Sequence, residues 1–212
     1  MIGGKMFERL SVVGFEAPGP PSDRLFFAIR PDADSATRID RLVQDLRKQH
    51  GLKGKSLGIE RFHVTLYHVG DFAGVPSSVV DLACEAARAV SAVPPFRLGF
   101  ERVASFSRRP RNMPFVLLGS DGLLAVTRFQ QTLAAALASA GLGHGGGSHY
   151  TPHLTLLYDD RHVAAQSIEP IAWTAHEFVL LRSLIGKGRH EVLEHFPLHG
   201  SAKMGAAKQP GQ

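Results

Sequence analysis

Cysteine is nearly missing from this sequence: Cys84 is the single one among 212 residues. One thiol forms no intramolecular disulfide, so stability must come from a packed core, and nothing asks for an oxidising compartment. Cys84 sits in Asp81-Leu82-Ala83-Cys84-Glu85-Ala86-Ala87, a helix-forming stretch where a thiol packs rather than reacts. Long apolar runs are missing as well. None approaches the ~20 residues of a membrane span, and the N-terminus has no hydrophobic signal region ending in a small-residue cleavage site. The expectation is a cytoplasmic protein with no membrane contact. Charge is only mildly one-sided: 24 basic against 19 acidic side chains leave a formal +5, which favours an anionic partner without singling out nucleic acid. Metal-ligand patterns are poor too. His144, His149 and His153 fall within ten residues and make the best case for zinc, but their spacing fits no standard short pattern and no cysteine joins them. No metal and no cofactor is expected. Gly141-Leu142-Gly143-His144-Gly145-Gly146 satisfies G-x-G-x-x-G, yet it follows a helix and leads into a strand, the reverse of a dinucleotide-binding turn.

What is present is a core of ordinary richness, 44% hydrophobic residues, arranged as interspersed strands and helices. Ala17-Pro18-Gly19-Pro20-Pro21-Ser22 separates an N-terminal extension, residues 1–22, from a folded body, 23–199. The Gly, Ala, Lys and Pro of the tail, 200–212, have little to bury, and both ends are expected to be mobile. Leu25 to Ile29 reads as a buried strand. Asp34-Ser35 reads as a helix cap, followed by a helix with Ile39, Leu42, Val43 and Leu46 on one face. A strand is predicted from Phe62 to Val69, a helix from Ser77 to Val90 ended by Pro94-Pro95, and a strand from Phe96 to Phe106. Phe115 to Leu118 reads as a strand, Leu123 to Leu142 as a helix, and His153 to Tyr158, Trp173 to Leu184 and Glu191 to Leu198 as strands. This order fits an α+β fold of mainly antiparallel sheet with outer helices. Phe26 precedes His63 by 37 positions and Val116 precedes His153 by the same 37. The matched order of strand, helix and motif strand predicts a duplicated unit, hence two lobes related by a pseudo-twofold axis with a central cleft.

Two tetrapeptides carry the chemistry: His63-Val64-Thr65-Leu66 and His153-Leu154-Thr155-Leu156. Side chains alternate along a strand, so each histidine shares a face with its threonine while Val64, Leu66, Leu154 and Leu156 point into a core. Two such strands meeting at a cleft assemble two imidazoles and two hydroxyls. That set suits in-line displacement at phosphorus. One imidazole takes a proton from water, the other gives one to the leaving oxygen, and the threonines donate to non-bridging oxygens. A lone His-x-Thr on a strand is more often a hydrogen-bonded surface or core residue; the repetition in matching units argues for a site. Arg108, Arg109 and Arg111 surround Pro110, where Arg109 and Arg111 could contact phosphates of a longer substrate or simply face solvent. Tyr150 could line the cleft and stack on a base, whereas Phe62 is expected to pack inward.

At these residues the sequence resembles the 2H phosphoesterase superfamily, and within it the bacterial RNA 2',3'-cyclic phosphodiesterase or 2'-5' RNA ligase-like branch. The similarity runs from about Arg24 to Leu198, including Phe115-Val116-Leu117-Leu118-Gly119, Tyr150-Thr151-Pro152-His153 and Glu177-Phe178-Val179-Leu180-Leu181-Arg182-Ser183. The resemblance implies a bilobal α+β fold, metal-free opening of a cyclic phosphodiester to a 2'-phosphate, and possible reverse ligation. It implies His63 and His153 as the catalytic pair and Thr65 and Thr155 as phosphate donors. RNA ends or small cyclic nucleotides are the implied partners, and a monomer is the expected state. Many bacterial members carry a basic residue soon after the second motif, where this chain has Leu157-Tyr158. The alternative is a nucleotide- or RNA-binding module that uses the two-histidine cleft without turnover.

Overall fold

The computed structural model describes residues 19–106, 111–143 and 150–200. Arg108 and Arg109, His144 and His149, and most of both terminal extensions lie outside the described residues. Eight strands form one sheet: β1 (Asp23–Ile29), β2 (Val64–Phe72), β3 (Phe96–Ser105), β4 (Met113–Leu118), β5 (His153–Asp159), β6 (Gln166–Ala175), β7 (Glu177–Leu184) and β8 (Arg189–Pro197). Their order is β6-β3-β4-β5-β2-β1-β7-β8, and every neighbouring pair is antiparallel.

The two lobes are the two four-stranded halves of that sheet. They join at the middle, where β2 and β5 pair through Val64 and Leu154. The lobes are not the two halves of the chain, because β7 and β8 return to the first lobe beside β1.

Three α-helices are described: α1 (Ala33–His50), α2 (Ser77–Val90) and α3 (Leu124–Leu137). Helix α1 starts one turn ahead of its most obvious apolar face. The cap is Asp32, whose carboxylate accepts from the Ser35 N–H at 2.7 Å, rather than Asp34-Ser35. It stops at Gly51, which adopts a left-handed φ of 61° that favours glycine, and the Gly51 N–H is donated back to the last turn. Ile39, Val43 and Leu46 of α1, Val79 and Ala83 of α2, and Phe129 and Leu133 of α3 pack into one cluster with Phe27, Ile29, Val64, Leu154 and Phe178 of the sheet. All three helices thus bury their apolar stripes on the same face.

The alternation of β1 assigns the other face. Phe27 belongs to the helix-side core, whereas Phe26 and Ala28 join Val179 and Leu181 in a separate small cluster.

Three sequence-based boundaries are corrected. The first motif strand runs from Val64 to Phe72 and not from Phe62, because the chain enters it from a 3₁₀ turn at Ile59–Arg61. Trp173 to Leu184 is two strands, β6 and β7, broken at His176. The helix predicted to Leu142 ends its α-helical part at Leu137 and continues as a wider π turn with Gly141 at φ 80°. The duplicated unit is present as β1-α1-β2 and β4-α3-β5, but the equal spacing of 37 does not mark equivalent residues. Ala28 pairs with Thr65 and Val116 pairs with Thr155, so Ala28, not Phe26, corresponds to Val116. The two connections differ in length, and the sheet register absorbs the difference.

Candidate active site

The single pair Val64–Leu154 fixes the site. In an antiparallel register centred on it, His63 faces Thr155 and Thr65 faces His153. Val64, Leu66, Leu154 and Leu156 are buried under the helices, so pleating turns all four polar side chains to the opposite face. Each is half-buried. Two imidazoles and two hydroxyls therefore alternate around a pseudo-twofold axis through the lobe junction.

Each histidine is held in the same way. His63 Nδ1 lies 2.7 Å from the Arg61 carbonyl oxygen, and His153 Nδ1 lies 2.8 Å from that of Thr151, two residues earlier in both cases. A carbonyl only accepts, so Nδ1 must carry the proton and Nε2 is left to exchange one. Each ring also rests on a phenylalanine. Phe26 lies 5.1 Å from His63 and Phe106 lies 5.0 Å from His153, centroid to centroid. Burial, opposed in part by the Arg61 carbonyl and reinforced by the neighbouring His190, His153 and Arg61, pushes His63 down to about 4. His63 is neutral near pH 7.

A third histidine, unnoticed in the sequence, stands beside the first: the His190 ring is 5.2 Å from His63, edge to face, and 5.5 Å from Phe26. It lies on β8, and burial together with the positive charges of Arg61 and Arg30 lowers it to about 4. The only sequence signal was a histidine on a glycine-flanked hairpin strand. His190 enters the site because β1 is sandwiched between β2 and β7, a pairing across more than 100 residues.

Tyr150 is tied to the first motif strand. Its hydroxyl donates to the Thr65 carbonyl at 2.9 Å and its ring packs on the helix-side core, burial raising its pKa. It braces the entry to the second motif against the first. Arg111 is exposed at the approach to β4 and does not line the cavity beside His63. Phe62 is fully buried, as expected, and Cys84 is a buried free thiol whose pKa burial raises. Among the described residues no group of three or more His, Cys, Asp or Glu side chains is placed to hold a metal, and no helix is long and apolar enough to cross a membrane.

The family model for the 2'-5' RNA ligase superfamily matches residues 31–186, a span that contains both motif strands. The chain belongs to that superfamily. The fold is shared with several solved structures. TT0787 of Thermus thermophilus superposes with a TM-score of 0.67 at 21% identity, covering 84% of this chain and 100% of its own. Escherichia coli LigT in apo form gives 0.63 at 22%, covering 85% and 99%. A structure described as a phosphoesterase gives 0.64 at 23%, covering 85% and 99%. No curated protein sequence matches the chain.

Proposed function

We propose that the chain is a metal-independent cyclic phosphodiesterase that opens 2',3'-cyclic phosphate ends of RNA, or related cyclic nucleotides, to 2'-phosphates. The observation that carries this is the mirrored pair of imidazoles, each with Nδ1–H donated to a carbonyl so that Nε2 is left to exchange a proton, on adjacent strands whose register sets each histidine opposite the other motif's threonine. His63, neutral through burial, is the base: its Nε2 takes a proton from water as the oxygen bonds to phosphorus. His153 gives its Nε2 proton to the ribose 3'-oxygen as the P–O3' bond breaks. The threonine hydroxyls donate to the non-bridging oxygens, on which negative charge grows. The same pair in the same roles, with an RNA 5'-hydroxyl in the place of water as nucleophile and the 3'-oxygen again leaving, gives 2'-5' ligation. Superfamily membership and the solved complexes of E. coli LigT with 3'-AMP, ATP and phosphate support a nucleotide phosphate as the ligand. The test is incubation of a short RNA ending in a 2',3'-cyclic phosphate, with the product followed by phosphorus NMR. A 2'-phosphate alone is the expected product. Binding without turnover would make the chain a recognition module, and a mixture of 2'- and 3'-phosphates would refute oriented acid-base catalysis.

A further inference from the structure

Beside His63 a cavity of about 450 Å³ opens between the turn before β2 and the β7–β8 hairpin. It is too large for the reacting phosphate and has two kinds of wall. One is basic: Arg30, Arg61 and Arg189, with His190 and against a single acid, Glu60. The other is apolar and includes Ile59 and Val192, which are 41% and 36% exposed.

The arginines are poorly satisfied by the protein itself. Arg30 reaches Glu60 only at 3.4 Å, and the Glu60 side chain is 91% exposed; Arg189 reaches Glu191 only at 3.5 Å. Such pairs contribute little. Arg61 has no ion pair among the described residues, and its Nε is buried with no hydrogen-bond partner among them. The Arg61 guanidinium is therefore not neutralised by the protein itself, and the charge it brings to the cavity wall suits an anionic ligand. Gly188, at a left-handed φ of 64°, forms part of the rim; a Cβ there would lie 3.5 Å from an Arg61 terminal nitrogen. The backbone carbonyl of Arg61 meanwhile holds His63, so the basic wall and the reacting centre share one residue.

We infer that this cavity is a subsite for the nucleotide on the 5' side of the reacting ribose, with the arginines taking its phosphate and the apolar wall its base. The inference rests on the proposed function for the identity of the chain that enters, and it makes the protein selective for oligonucleotide ends over single cyclic nucleotides. A phosphate one ribose from the reacting phosphorus can be either a terminal 5'-phosphate or an internucleotide diester, and only the diester brings a second base to Ile59 and Val192.

Direct binding tests this without depending on turnover. Dissociation constants for adenosine 2'-phosphate, adenosine 2',5'-bisphosphate and the dinucleotide ApA ending in a 2'-phosphate are measured by calorimetry in the native chain and in Arg30→Gln/Arg189→Gln. In the native chain the second phosphate should tighten binding about tenfold, as expected for one or two charge-assisted hydrogen bonds, and the dinucleotide should bind more tightly still. In the variant the advantage of both over the monophosphate should shrink to about threefold or less. Because the ratio is taken within one protein, partial unfolding does not imitate the result. Equal affinities for all three ligands in the native chain would overturn the inference, as would a gain for the bisphosphate with none beyond it for the dinucleotide. Intact discrimination in a protein that fails to hydrolyse cyclic phosphates would refute the proposed function while leaving the subsite standing.

Discussion

His63 offers a quantitative check of the site without any substrate. Its pKa is about 4 in the folded protein against ~6.5 in an unfolded chain. For a histidine depressed in this way the native state prefers the neutral form. The stability it contributes is complete above pH ~6.5 and is lost as the pH falls toward the folded value. Lowering the pH from ~7 to ~5 protonates the unfolded histidine but not the folded one, which removes about 2 kcal/mol of stability. The perturbation is His63→Gln, whose amide keeps a donor for the Arg61 carbonyl and never titrates. Urea unfolding at the two pH values, followed by the fluorescence of Trp173, the single tryptophan, buried and stacked on Phe100 at 5.3 Å, measures the difference. The native chain should lose about 2 kcal/mol more than the variant on acidification, since every other titrating group is common to both. Equal losses would show that His63 is not held neutral. The same shift fixes the rate profile: with His63 as the base of the free enzyme, the acid limb of kcat/KM should fall near pH 4, and a limb near ~6.5 would remove it from that role.

Substituting His63 or His153 by Ala should each lower turnover by ~10²–10⁴-fold in a folded protein, with smaller losses for Thr65→Ala and Thr155→Ala, as measured by hydrolysis of a cyclic-phosphate RNA end. Leu154→Ala empties a fully buried position at the lobe junction and should cost ~2–5 kcal/mol in urea unfolding. It should also lower kcat, because His153 and Thr155 flank it. Tyr150→Phe removes the bond to the Thr65 carbonyl and should cost about 1 kcal/mol by the same assay. Activity should survive a strong chelator, since two imidazoles and two hydroxyls complete the proposed chemistry; loss restored by zinc would point instead to a metal held at His153 with His144 and His149.

The local pattern of the chain carried much of this. Alternation in His63-Val64-Thr65-Leu66 and His153-Leu154-Thr155-Leu156 already assigned each side chain to a face, because a strand has a period of two wherever it lies. The apolar stripe of α1 and the extent of α2 were legible for the same reason, their burial following the helical repeat. Pairing is another matter. Nothing local states that Val64 meets Leu154, that β7 and β8 cross back to flank β1, or that the lobes are not the halves of the chain. Those contacts join residues far apart in sequence and are selected by the burial of the whole helix-side core rather than by any one segment. Nor does anything local state that the Tyr150 hydroxyl meets the Thr65 carbonyl of the other motif strand. His190, Arg30 and Arg189 had no motif at all. The fold alone brought them to His63, where the removal of water and the proximity of like charges, neither of which is a property of a sequence, gave that imidazole its acidity.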